Sequence, residues 1–237
     1  MPAQLANVHV HHTTPLRLDR AMRWGVWLLP LHALLFLWGT RERQPSPSTE
    51  FGEWAAFVST DEFRWAHLVA SIGGQAAGMI GTAALGLLVL RGAGIGRSAL
   101  GLLLHLTGSS LMLSGFGVAA FAQPAIGELY GDRPRIAEEM YHAVYSPTVF
   151  VVLLTGLALF SASTVATGAA LASSAVVPRW LGRLYAVTGP VFGVLGFLFG
   201  IFQTIGALAR AAASALAANA LLGRPRSPAP PSGATRQ

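Results

Sequence analysis

Residues 66–90 read AHLVASIGGQAAGMIGTAALGLLVL, a run with no charged side chain, closed off by Arg64 and Arg91. At 1.5 Å per residue a helix of this length spans about 37 Å, more than the ~30 Å hydrocarbon core of a bilayer. Hydrocarbon offers no partner to backbone N–H and C=O groups, so a spanning segment is a helix or part of a closed barrel. The run shows no alternation of apolar and polar residues, which removes the barrel. It reads as a transmembrane helix, and other stretches repeat its logic.

Composition agrees. The 237 residues are 53% hydrophobic and 11% charged, with a mean hydropathy of +0.53. A soluble domain carries about 25% charged residues, so the solvent of this chain is lipid. The absence of cysteine removes disulfides, Cys-ligated zinc, iron–sulfur clusters and covalent haem attachment together. All 16 basic residues are arginine, which with the abundance of Ala and Gly reads as the coding bias of a GC-rich bacterial genome. The formal charge of +6 does not point to nucleic acid, because the arginines stand singly at the ends of apolar runs.

Further uncharged runs cover Ser98–Gly127, Met140–Pro178 and Leu184–Ala209, and Trp24–Thr40 follows three N-terminal arginines. The expectation is an all-α integral membrane bundle of about five transmembrane helices, spanning 22–40, 65–90, 98–123, 141–165 and 184–209 within a domain of 22–222. Pro30 is expected to kink the first helix. In the Met140–Pro178 run, Ala166 onwards is mostly small residues and serines, so it reads as an interfacial extension and not as a second crossing. Residues 1–21 read as a mobile tail; His9, His11 and His12 have no carboxylate or cysteine nearby to complete a metal site. Residues 223–237 contain four prolines and read as a disordered tail. In the first loop, Phe51, Trp54, Ala55 and Val58 share a helical face suited to the membrane surface, and Ser59 with Glu62 has capping-box spacing.

Arginine placement orients the bundle. With the N-terminus in the cytoplasm, inner segments carry Arg17, Arg20, Arg23, Arg91, Arg97, Arg179 and Arg183, while loops 41–64 and 128–139 hold nine of the ten acids. The tail with Arg210, Arg224, Arg226 and Arg236 conflicts, since five crossings put it outside. A sixth crossing brings it inside at the cost of moving Arg179 and Arg183 out, so five are retained. Three glycine rows mark close helix packing: Gly74, Gly78 and Gly81; Gly101, Gly108 and Gly115; Gly189, Gly193, Gly196 and Gly200. They suit either a tight bundle or an interface with a second copy or another membrane protein.

No acid, lysine or arginine falls within the hydrocarbon depth of these five spans, which counts against an ion-coupled carrier. Two constellations stand out. His32, about 15 Å in from the inner side, and His105, about 10 Å in, form one level, while His67 and His142 at outer helix ends form another. Two histidines per level, on four helices, is a geometry for two bis-imidazole haem b groups. The second constellation is Glu138, Glu139 and His142, three and four residues apart, with His67, Asp61 and Glu62 as further ligands of an outer-face divalent metal. A local account competes with it, in which Asp132 caps a helix whose first turn carries the two glutamates. Ser110 and His142 lie at different depths, so no serine–histidine nucleophile pair forms. The sequence reading is a non-enzymatic multi-pass protein of a bacterial inner membrane, partnered by the bilayer, without a cofactor. Its role is that of an accessory or scaffolding bundle or a small passive carrier, with the haem and metal sites as alternatives.

Overall fold

The computed structural model describes residues 14–41, 44–90, 95–174 and 176–223, and among them every regular element is a helix. Helices α1 (Thr14–Gly25) and α2 (Leu28–Gly39) make the first apolar span, Arg20–Gly39; α3 (Phe51–Val58) follows in the loop beyond it. Helix α4 (Asp61–Trp65) runs through a π-helical stretch, Ala66–Gly73, into α5 (Gly74–Val89), giving the second span. Helix α6 (Ile95–Asp132) is the third, and α7 (Pro134–Val144) is a short helix after it. Helix α8 (Pro147–Ser173) is the fourth span; α9 (Arg179–Pro190), a π turn (Val191–Leu195) and α10 (Gly196–Leu198) form the fifth. Helix α11 (Gly200–Leu222) is the sixth. Residues 1–13, with His9, His11 and His12, and residues 224–237 lie outside the described residues.

Among the described residues, six helices are thus long and apolar enough to cross a bilayer, where the sequence leads to five. The extra one comes from the run Leu184–Ala209. Phe199 is extended (φ −140°, ψ 103°), so the chain turns back between Leu198 and Gly200, and the alanine-rich segment to Leu222 completes a full span. Arg210 therefore lies inside a span and not beyond one, which corrects the expectation of charge-free helices. The fourth span also shifts: Tyr145 leaves helical geometry, Pro147 opens α8, and α8 continues through the small residues to Ser173. That small-residue segment is a packing face, since a Cβ on Gly168 would meet the backbone and side chain of Ala186 at 2.5–2.6 Å.

Each span packs against its predecessor and successor in the chain, and the sixth returns to the first, so the six close into a ring. The closing contact includes a hydrogen bond from Arg23 Nη1 to the Leu221 carbonyl, 2.9 Å. The ring is filled. Near this end Val26, Leu29, Leu85, Leu171 and Tyr185 form one core; in the middle Phe36, Met112, Phe160, Phe192 and Ala207 form another. Members of all three glycine rows serve this packing, while Gly200 faces open space. Gly81 faces Leu29, Gly78 faces His32, Gly108 faces the backbone of Gly156 and Phe160, and Gly193 faces Ser161 and Leu157.

Beyond the opposite end, the last turns of the 38-residue α6 join α3, α4 and α7 in a cap. Phe51–Val58 is helical with the expected face inward, but that face (Trp54, Ala55, Val58) packs on Ile126 and Ala137 and not on a membrane surface. The cap of α4 is Thr60, whose hydroxyl accepts from Phe63 N–H, while Ser59 donates back to the Ala55 carbonyl. Helix α7 opens on Arg133 and Pro134 with no side-chain cap, so Asp132 does not cap it, and no acid lies in its first turn.

Candidate functional site

Two features converge at the centre of the ring: a buried polar cluster at mid-depth, and a cavity between it and the cap.

Pro30 ends the run of α1 at Gly25 because it lacks an N–H and crowds the carbonyl one turn earlier; α2 restarts at Leu28. His32, on α2, is 1% exposed. Its Nδ1 lies 2.8 Å from the Gly74 carbonyl, which can only accept, so Nδ1 carries the proton. His105, also 1% exposed, meets Ser163 Oγ at 3.3 Å and neighbours the Gly78 carbonyl. Both imidazoles pack on Phe160, with ring centroids at 6.0 Å and 5.5 Å. The structure thus brings His32 and His105 against one aromatic ring.

The third member is Arg210, at 1% exposure the one buried charged side chain among the described residues. It stands ten residues from Gly200, roughly 15 Å along the helix, in the middle of α11. Its guanidinium lies over the rings of Phe160 (4.9 Å) and Tyr185 (5.2 Å), and Nη2 meets Tyr185 Oη at 3.5 Å. Both histidines lie within its electrostatic reach. Sequence reasoning missed Arg210 by treating every arginine as a helix end. The signal was present in the length of the apolar sequence on both sides of it.

The outer histidines do not form a pair. His67 donates through Nδ1 to the Phe63 carbonyl (3.1 Å) and stacks on the Phe63 ring at 4.1 Å. His142 belongs to α7 and not to a span; it is exposed and neighbours Tyr141, and no ring contact joins it to His67. Asp61 pairs with Arg64 and Glu62 with Arg41, while Glu138 and Glu139 are exposed on α7. Among the described residues, no three His, Asp or Glu side chains come together as a metal site.

The cavity, about 470 Å³, opens at the cap end. Its floor is apolar, built by Phe36, Met112, Phe116, Leu157 and Phe192; its rim carries Thr40, Gln44, His67, Gln203 and the Arg41–Glu62 ion pair. A second hollow of about 230 Å³, between α8 and the fifth span, shares Leu154, Leu157 and Phe197 with the first and is almost wholly apolar. Phe36 and Phe192 (5.5 Å apart, edge to face) stand between the cavity and the polar cluster, since Phe36 also touches His32 at 4.8 Å. Beside the rim, Gln44 donates to Gln123 (3.3 Å), which donates in turn to Tyr145 Oη. Burial pushes the Tyr145 phenol up to about 12.

Neither protein-family models, curated proteins nor solved structures give a match to this chain.

Proposed function

We propose that the chain is a six-pass, non-enzymatic protein of a bacterial cytoplasmic membrane. In this reading both termini are in the cytoplasm, and the outer cavity receives a neutral, single-chain amphiphile from the lipid. Sidedness is supported by charge. With six crossings, Arg17, Arg20, Arg23, Arg91, Arg97, Arg179, Arg183, Arg224, Arg226 and Arg236 flank the inner ends against Asp19 alone. The other nine acids flank the outer ends. Because the extra crossing lies after Arg183, it brings the C-terminal tail inside without moving Arg179 or Arg183 out.

The observation that carries the ligand reading is that the two hollows adjoin, with Leu154, Leu157 and Phe197 in the walls of both. A polar head finds hydrogen-bonding groups at the rim, where Arg41 and Glu62 already neutralise each other. A hydrocarbon chain finds the aromatic floor and leaves toward lipid between α8 and the fifth span. Apolar walls with a few convergent polar groups are the usual composition of small-molecule sites. This favours a passive carrier or a lipid-handling accessory subunit over a bare scaffold. The test is native mass spectrometry of the purified protein with 1-palmitoylglycerol as the probe. Wild type is expected to retain it and Leu157→Trp, which fills the junction of the two hollows, to bind at least about tenfold more weakly. Equal retention by both proteins, or none by wild type, refutes the reading.

A further inference from the structure

Arg210 raises a question of charge. Its Nε and Nη1 have no hydrogen-bond partner, and no ion pair reaches it among the described residues. A guanidinium is not deprotonated in a protein, so the charge stays. In a low-dielectric bundle an uncompensated cation is costly, and the two aromatic faces offset only part of that cost. At 1% exposure, no acidic side chain of a partner protein can approach it. The compensation must come from something small enough to sit inside the ring.

The surroundings suit an anion. Besides Arg210, the buried Gln75 (0% exposed) leaves both amide atoms unpartnered, and Ser109 (0%) leaves its hydroxyl free. Gln75 stands one residue after Gly74, the partner of His32, and Ser109 four after His105, so both belong to the helix levels that carry the histidines. Orphaned donors at 0–1% exposure on several helices are rare in folded proteins. They lie at the levels of His32 and His105, whose rings pack on the same Phe160 that Arg210 covers. No carboxylate stands among them.

We propose that the centre of the bundle is a binding site for a small monovalent anion of halide size, held by the Nε and Nη1 groups of Arg210. This goes beyond the amphiphile reading of the outer cavity and does not depend on it, since Phe36 and Phe192 separate the two. The anion stabilises the ring by neutralising Arg210 on the sixth span.

The experiment is thermal unfolding of the full chain in detergent at constant ionic strength, with chloride or bromide exchanged for gluconate, which is too large to enter. Wild type is expected to melt roughly 5–10 °C higher in chloride at about a hundredfold excess over the dissociation constant, the shift growing with the logarithm of chloride concentration. Arg210→Met keeps the stem and removes the charge. It is expected to fold, because a buried unpaired charge is lost, and to melt at one temperature in all three salts. Chloride-35 NMR line broadening by wild type, absent with Arg210→Met, is the independent readout. Identical melting of wild type in every salt, or a chloride effect that Arg210→Met retains, overturns the proposal. If Arg210→Met fails to fold, Arg210→Gln takes its place under the same criteria.

Discussion

Replacing Gly78 by alanine tests the packing of the centre. A Cβ at position 78 would stand 2.6 Å from His32 Nδ1, 2.9 Å from Cε1 and 3.0 Å from Cγ. The imidazole cannot move aside freely, because it is 1% exposed and lies against Phe36 and Phe160. Any retreat breaks its 2.8 Å bond to the Gly74 carbonyl. Overpacking costs about 1–3 kcal/mol and the buried hydrogen bond about 1–2 kcal/mol, against a helix-propensity gain of at most about 1 kcal/mol. The net loss is therefore about 1–4 kcal/mol. Gly86 is the control, since a Cβ there meets Leu102 and Ser98 at 3.7–3.8 Å, an ordinary contact, and Gly86→Ala is expected to cost nothing. Unfolding in mixed micelles of mild detergent and dodecyl sulfate gives both values. With His32→Ala as background the clash is gone, and Gly78→Ala should become neutral, a coupling of about 1–4 kcal/mol. A Gly78→Ala cost that equals that of Gly86→Ala, or that is the same in both backgrounds, would refute the reasoning.

Three other outcomes follow from the cap and the loops. The Tyr145 phenol ionises at about 12 when folded and near its ordinary 10 when unfolded, so the unfolded chain loses the proton first. Stability is then full below about pH 10 and falls up to about pH 12, and Tyr145→Phe should abolish that decline in a chemical-denaturation series. Trp54, with no exposed surface and rings of Phe51 and Tyr141 each at 5.0 Å, anchors the cap. Trp54→Ala is expected to cost about 3–5 kcal/mol and to speed amide exchange in α3 and α7 while leaving α5 protected. Because the chain has no cysteine, single replacements report sidedness. Ser48→Cys and Glu138→Cys should react with an impermeant maleimide in intact cells, and Arg179→Cys only after lysis.

The helical membrane character was legible in the uncharged runs, because lipid leaves few other options for the backbone. Glycine spacing announced close approach, yet not which helix would approach: only the fold pairs Gly78 with His32 and Gly108 with Gly156. The face of Phe51–Val58 was readable from its period, but its cover was not, since Ile126 and Ala137 lie far along the chain. The inward face of His105 was readable from its glycine neighbours, whereas that of His32 was not. Span number and the place of Arg210 were not readable, for one physical reason. A rule that ends helices at arginine holds for lipid-facing positions and fails for a guanidinium stacked between Phe160 and Tyr185 inside the ring.

Closure of the ring by its first and last members also orders its biosynthesis. The side of α2 that meets α11, and Arg23 whose bond awaits the Leu221 carbonyl, have no partner until nearly the whole chain has left the ribosome. Throughout elongation that flank must be shielded by lipid or by the insertion machinery. A chain truncated before Gly200 is then a five-membered open arc, with a seam along which quality-control proteases can enter.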